Sequence, residues 1–447
     1  MENWAGNNIV MRSGKQPGCF FTSFISRVCC MIGLLCAGGG VWSQDIITGN
    51  VVSQKGEPLA GANVFVPNTA IATATDAKGS FVLRRLPSGN FKLAVSYIGF
   101  DVYTVNISSR EKEKPLQVIL VPKVSELTSV IIRNYVNEGW KKWGNTFTEA
   151  FVGTSSHAAK TRIVNQDVIK FVFLEKENEL HAYASEPVVI ENKSLGYRLT
   201  VDLVDFTLDI YRNQVDYQVY SFFTPLQGSE DEMADWKKNK QDAYAFSLMH
   251  FMRAVYSDEL KEEGFEIRRL ERRQNEEKQR ILLLYKTEQA TLDNQENSSE
   301  KAIQRKIEKK FPKDSVSYFR KVISQEDRTE KIYPGLLSFS DVALKTDSNT
   351  VILKFTDHLV VTYKKKVEPQ EYFDYRTGAG QRNLALSDAG AEPVKKQRPS
   401  TILTLTQGIP VEINETGYFK NIDLMIDGFW GWWEKIGTKL PYDYIPL

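Results

Sequence analysis

Cysteine is nearly absent from this chain of 447 residues, and all four cysteines fall within its first 36 positions. We predict below that this N-terminal stretch is removed, which would leave a protein without thiols. That would exclude disulfides, thiolate zinc sites, iron–sulfur clusters and cysteine nucleophiles. An excess of charge of one sign is also missing, because 57 Lys and Arg residues face 56 Asp and Glu residues. We therefore expect no nucleic acid partner and no electrostatic attraction to an anionic membrane.

Residues that carry common chemistry are scarce as well. The chain has four histidines, and no two of them lie three or four residues apart, so we predict no metal site. Gly378-Ala379-Gly380 lacks the Lys-Ser/Thr of a phosphate-binding loop, and no Gly-x-Ser-x-Gly motif occurs. Ser155 and Ser156 stand beside His157, but adjacency alone does not make a nucleophile and base pair. We predict no catalytic residue, no metal and no cofactor.

The N-terminus has the layout of a secretory signal. Arg12, Lys15 and Arg27 precede an apolar stretch over 28–41, which is shorter than the roughly 20 residues of a membrane span. We predict a signal peptide over residues 1–43, with Gln44 as the new N-terminus. A lipid anchor on a cysteine and a retained membrane anchor are the alternatives. Scarce cysteine in an exported chain is typical of the bacterial envelope, so we expect the periplasm or an association with the outer membrane.

Residues 44–121 alternate short β-rich segments with turn residues. Leu93, Val95 and Tyr97 alternate with more polar neighbours, as expected for a strand with one face in a core. No helical periodicity interrupts the series. Seven short strands in so few residues predict an all-β sandwich. The predicted strands are 46–53, 62–66, 71–75, 80–86, 91–97, 102–107 and 116–121.

The strands and turns of this sandwich contain a set of residues that is typical of a known family, which are Gly49, Val51, Gly56, Pro58, Leu59, Gly61, Ala62, Val64, Val66, Thr75, Asp76, Gly79, Phe81, Leu83, Leu86, Pro87, Gly89 and Ser96 to Phe100. On these residues the sandwich resembles the carboxypeptidase regulatory-like domain, which has a transthyretin-like fold. The resemblance implies a non-catalytic domain of Gram-negative envelope proteins, of the type found ahead of large TonB-dependent importers. Such an importer needs several hundred further residues, whereas 315 follow Ile132. The His-x-x-Glu zinc motif of true carboxypeptidases is absent.

A linker over 122–136 and a larger α+β domain over 137–447 are predicted to follow. Helices are expected at 137–151 and 234–257, where aromatic and apolar residues recur at helical spacing. Dense charge over 257–331 predicts solvated helix or loop, and glycine, proline and charge over 368–400 predict a mobile loop. The predicted strands are 169–174, 180–184, 197–204, 207–223, 336–344, 351–356, 359–365, 402–406 and 410–413.

The second half also resembles an uncharacterised group of envelope proteins. This likeness implies no chemistry. It rests on four segments, which are 147–153, Glu186-Pro187, 190–197 and the tryptophan-rich C-terminal end.

Trp430, Trp432 and Trp433 are the candidate ligand-binding residues. Aromatic rings in such a cluster can stack on a sugar or a peptide, or they can be buried as anchors of the C-terminal segment, which is the interpretation that we favour. We predict an exported, non-catalytic accessory or scaffold protein whose partner is another envelope protein, a polysaccharide or a peptide. The alternatives are a carbohydrate- or peptide-binding protein that uses this cluster and an enzyme of unrecognised type.

Export can be tested directly on the natively expressed protein. N-terminal sequencing should begin at or near Gln44, because Val41 and Ser43 suit a signal peptidase site. A full-length product that stays in the cytoplasm would contradict this prediction, and a lipid on Cys36 would show an anchored form instead.

Overall fold

A computed structural model describes residues 46–87, 90–108, 114–123, 136, 138–292, 309–346, 350–378, 395–419 and 424–446. The predicted signal peptide and most of the predicted linker lie outside these residues. So does the part of the predicted mobile loop over 379–394. Among the described residues, no helix combines the length and apolar character needed to cross a membrane.

All seven predicted strands of the sandwich are present. They form a three-stranded sheet in the order β4-β1-β7 and a four-stranded sheet in the order β3-β2-β5-β6. Val51, Phe81, Leu93 and Val118 are buried in a core of their own between the sheets. The strands are β1 (Ile47–Ser53), β2 (Asn63–Phe65), β3 (Ala72–Ala74), β4 (Ser80–Leu83), β5 (Phe91–Ser96), β6 (Tyr103–Ile107) and β7 (Leu116–Leu120).

The turn before β4 shows why this sandwich could be predicted from local sequence. Asp76 accepts the N–H groups of Lys78 and Ser80 at 2.8 and 2.9 Å through its side chain. Gly79 has φ +74°, and a Cβ there would lie 2.5 Å from the Val51 carbonyl oxygen. Only glycine meets both conditions without strain.

The remaining residues form the α+β domain, so the predicted fold class is confirmed. Its strands form a six-stranded sheet (β8-β11-β12-β10-β9, with β13 paired to β12), a five-stranded sheet (β15-β14-β18-β19-β21) and a three-stranded sheet (β16-β17-β20). One apolar core joins all three sheets to the helices. The strands are β8 (Thr161–Ile163), β9 (Ile169–Leu174), β10 (Glu179–Ala184), β11 (Val188–Asn192), β12 (Tyr197–Asp209), β13 (Gln214–Pro225), β14 (Phe265–Gln274), β15 (Arg328–Leu336), β16 (Ala343–Lys345), β17 (Val351–Leu353), β18 (His358–Tyr363), β19 (Ser400–Leu405), β20 (Val411–Ile413) and β21 (Leu424–Gly428).

The described residues also form eight α-helices. They are α1 (Gly139–Phe151), α2 (Glu230–Tyr244), α3 (Leu248–Ser257), α4 (Glu276–Leu292), α5 (Lys313–Ile323), α6 (Phe339–Val342), α7 (Gln370–Thr377) and α8 (Phe429–Trp433).

The single helix predicted over 234–257 is two helices. The helix is interrupted at Phe246, whose backbone is left-handed with φ +64°. Ser247 then caps α3, since its hydroxyl accepts the His250 N–H. Apolar residues recur at helical spacing on both sides of Phe246, so the helical pattern alone did not predict the interruption.

Three further predictions differ from the structure. The charged region over 257–331 contains β14, a central strand whose Phe265, Ile267 and Leu270 are buried while its charged residues face outward. Instead of strands over 197–204 and 207–223, β12 and β13 form one long hairpin. The start of the predicted mobile loop is ordered, because α7 lies within it and Glu368 pairs with Arg376.

The loop between β2 and β3 joins the sandwich to the α+β domain. The Asn68 N–H donates to the Ser221 carbonyl at 2.6 Å, and the Phe223 N–H donates to the Thr69 carbonyl at 2.9 Å. The Asn68 carbonyl accepts the Tyr442 N–H at 2.8 Å. Backbone groups of β13 and of the C-terminal tail therefore hold the same loop from two sides.

An apolar contact and a buried carboxylate complete this junction. The rings of Phe65 and Phe222 lie 4.9 Å apart, and Phe65 is fully buried. Asp202 of β12 faces the sandwich, where the Ser96 hydroxyl lies nearby, and its buried Oδ2 has no hydrogen-bond partner among the described residues. Burial raises the pKa of Asp202 from 3.8 to about 6, and the Ser96 hydroxyl and the Lys123 ammonium offset only part of this rise.

The stability of the protein should therefore depend on pH through Asp202. Below pH 3.8 the carboxyl is protonated whether the chain is folded or unfolded, and its burial costs nothing. As pH rises to about 6 the unfolded chain loses this proton first, so stability falls. We expect Asp202→Asn to raise the free energy of unfolding near neutral pH by on the order of 2–3 kcal/mol.

Denaturant unfolding at several pH values checks this expectation. The exposed Asp205 lies on the same strand, so Asp205→Asn is the matched control and should change little. Parallel pH profiles for the wild type and Asp202→Asn would contradict the assignment.

Candidate functional site

The C-terminal aromatic segment begins where β21 passes into α8. Gly428 has φ +86° there, and a Cβ would lie 2.8 Å from the Ser400 carbonyl oxygen. This close approach turns the chain inward, so that α8 enters the core. Trp430 is fully buried, and Trp432 and Trp433 are each 6% exposed.

Each tryptophan hydrogen-bonds to a different element. The Trp430 Nε1–H donates to the Phe246 carbonyl at 2.7 Å, in the break between α2 and α3. The Trp432 Nε1–H donates to the Thr154 hydroxyl at 2.9 Å. The Trp433 Nε1–H points to the Ala243 carbonyl at 3.4 Å. Buried indoles with satisfied donors favour the anchor role over an exposed stacking platform.

Asn192 holds the segment that follows the tryptophans. Its Nδ2 donates to the Gly437 carbonyl at 2.8 Å, and its Oδ1 accepts the N–H groups of Ser194 and Leu195. Gly437 is required at this place, because a Cβ would lie 2.7 Å from the Val152 carbonyl oxygen. One buried amide thus fixes both the β11–β12 turn and the C-terminal tail.

A serine, a histidine and an aspartate meet beside this turn. His157 Nδ1 lies 2.7 Å from the Ser194 hydroxyl, and its Nε2 lies 3.4 Å from an Asp242 carboxylate oxygen. Contact with His157 and with the Lys366 ammonium lowers the pKa of Asp242 to about 2. The sequence placed Ser155 and Ser156 beside His157, whereas the partner in space is Ser194, 37 residues away.

The geometry around Ser194 favours a structural role for this triad. Ser194 is 3% exposed and His157 is 5% exposed, so a substrate would have no access to the hydroxyl. The backbone N–H groups of Ser194 and Leu195, which could stabilise an oxyanion, already donate to Asn192. The three side chains tie α2 to the β11–β12 turn.

Metal ligands are not grouped in the part of the chain that the structure describes. Nowhere in it do three or more His, Cys, Asp or Glu side chains come close enough to hold an ion. The other histidines lie apart from one another: His181 contacts Glu179 and the Thr207 hydroxyl, His250 contacts Glu263, and His358 contacts the Thr404 hydroxyl.

An arm projects from the five-stranded sheet. It consists of α4 and α5 between strands β14 and β15, and it has a small core of its own around Ile281, Phe319 and Val322. Strand β15 pairs with β14 alone, so its other edge is unpaired within the described sheet. All of its side chains are exposed except that of Tyr333, which is half-buried. The dense charge over 257–331 predicted solvated helix or loop here, so no strand was expected at this position.

Trp430 should contribute most of the three tryptophans to stability. Trp430→Ala would empty a fully buried site and leave the Phe246 carbonyl without its donor, so we expect a loss of roughly 3–5 kcal/mol. Tyr211→Ala is the control, because Tyr211 is 89% exposed. Thermal and denaturant melts measure both variants, and an unchanged melt of the Trp430 variant would contradict the anchor role.

Comparison with known proteins identifies the family of one part of the chain. Residues 47–132 match the model of the CarboxypepD_reg-like domain. A protein named TonB-dependent receptor P39, from Formosa agariphila, is 31% identical over 93 residues. That match covers 21% of this chain and 9% of the relative, so the chain spans less than a tenth of the relative's length. The seven-stranded sandwich of this protein is a carboxypeptidase regulatory-like domain, as its residues predicted.

Proposed function

We propose that this protein is an exported, non-catalytic accessory or scaffold of the Gram-negative envelope that acts by contacting another envelope protein. The envelope assignment is supported by the family match of the sandwich over residues 47–132 and by the similarity of 93 residues of the chain to a TonB-dependent receptor. The unpaired edge of β15 carries the proposal of a protein partner. An extended peptide can add to such an edge through backbone hydrogen bonds.

Strand β15 has features that suit selective pairing. Ile332 and Leu336 are 54% and 57% exposed, so they can supply apolar contact to a partner strand. Lys331 directly precedes Ile332, and Pro334 lies between Ile332 and Leu336. Charge and proline on an edge strand oppose unselective aggregation. Pro334 has no N–H group, so a partner is expected to pair mainly with the part of the strand before it.

The burial of the three tryptophans does not support the alternative of a sugar-binding platform. The sealed position of Ser194 likewise gives no support to a hydrolase. Contact through an exposed strand needs neither.

Site-specific photo-crosslinking in the native envelope tests the proposal. A photoreactive residue at Thr329 or Lys331 should give a discrete protein adduct, because both positions lie on the unpaired strand. A photoreactive residue at Tyr211 is the matched control, since Tyr211 is 89% exposed in the turn after β12. Ile332→Asp should abolish the adduct without changing the melt.

Two outcomes would contradict the proposal. One is the absence of any adduct from β15 in cells that express the protein. The other is the same adduct pattern from Tyr211, which would indicate unselective collision. A carbohydrate adduct in place of a protein would redirect the proposal to a polymer partner.

A further inference from the structure

A groove of about 350 Å³ lies between α2, the end of β13 and the C-terminal tail. Met233 and Trp236 are the largest apolar side chains of its walls, and Met233 is 51% exposed. Lys237, Lys240 and Tyr444 supply its polar groups. Distant parts of the chain therefore build one concave surface, which is the usual form of a binding site.

Lys240 is a cation without a matching anion. Its ammonium lies 4.1 Å from the centre of the Tyr197 ring, and no Asp or Glu of the described residues forms an ion pair with it. Burial lowers its pKa, and no carboxylate acts against this shift. Asp242, which lies on the same helix, pairs with Lys366 and not with Lys240.

Tyr444 adds an unused hydrogen-bonding group. Its hydroxyl is buried and has no hydrogen-bond partner within the described residues. The neighbouring Asp443 accepts the Ala70 N–H at 2.9 Å through its Oδ1, and within the described residues it forms no ion pair with Lys240. A buried hydroxyl and a desolvated ammonium both lose free energy when they stay unpaired. A ligand with an anionic oxygen would satisfy both.

We propose that this groove binds the free C-terminal carboxylate of a peptide that ends in an apolar residue. The carboxylate contacts the Lys240 ammonium and accepts a hydrogen bond from the Tyr444 hydroxyl. The last side chain lies against Leu226 and Met233, and Lys237, one helical turn before Lys240, adds positive charge at the rim. Apolar walls favour a peptide over a uronic acid, whose many hydroxyls would stay unpaired there.

Fluorescence anisotropy with the mature full chain tests this proposal. The probes are a fluorescein-labelled tetrapeptide ending in Val-Leu with a free carboxylate and the same peptide with a C-terminal amide. We expect the acid to bind about tenfold or more tightly than the amide, because only the acid can use the ammonium. Lys240→Gln should remove that difference, and Tyr444→Phe should reduce it. Lys238→Gln is the matched control, since Lys238 is exposed on the same helix outside the groove.

Stability separates a binding role from a structural one. Lys240→Gln removes a half-buried charge that no carboxylate pairs, and it also removes the contact of the ammonium with the Tyr197 ring, so its melting temperature should stay close to that of the wild type. Equal binding of acid and amide, or equal loss in the Lys238 and Lys240 variants, would overturn the proposal. Saturable binding of an oligogalacturonate instead of the peptide would overturn the choice of ligand. The β15 edge takes no part in this groove, so this experiment and the crosslinking can fail separately.

Discussion

The hydrogen bond from the Trp430 indole to the Phe246 carbonyl is the contact on which the α+β domain depends most. Phe246 has the left-handed backbone that separates α2 from α3, a conformation that is costly for a large side chain. The break frees a carbonyl, and Trp430 binds it at 2.7 Å. The Phe246 N–H donates to His250 Nδ1, so this ring nitrogen is the acceptor and Nε2 faces Glu263. Without the indole, a strained carbonyl would be buried unpaired.

Several segments that are far apart in the sequence contact the same C-terminal tail. Val152 accepts the Gly437 N–H, Asn192 donates to the Gly437 carbonyl, and the backbone of Gly153 packs against the side chain of Lys435. Glu434 reaches Leu248 at the first turn of α3. These segments are far apart in sequence, yet each holds one part of the tail. Packing around the tail therefore accounts for the contacts that these segments make.

Local chemistry decided what the sequence could predict. The strands of the sandwich follow from period-two alternation and from turns such as Asp76–Gly79, which are complete within a few residues. The interruption between α2 and α3 at Phe246 is stabilised by Trp430, which is 184 residues away in the sequence, so no local pattern predicts it. Strand β14 could not be predicted either, because its dense charge is typical of a solvated segment. Its strand conformation depends on pairing with β15 and β18. The tryptophan cluster was visible as a cluster, whereas the Lys240 groove needs three separated segments.

The junction between the sandwich and the α+β domain balances opposing contributions. Backbone bonds at Asn68 and the Phe65–Phe222 contact stabilise it, while the buried Asp202 carboxylate opposes it near neutral pH. Tyr442 and Asp443, which hold the loop between β2 and β3, directly precede Tyr444 in the groove. A ligand that contacts Tyr444 would therefore lie next to the residues that hold the sandwich. The C-terminal tail is thus the element that the groove and the junction share, because consecutive residues of one segment serve both.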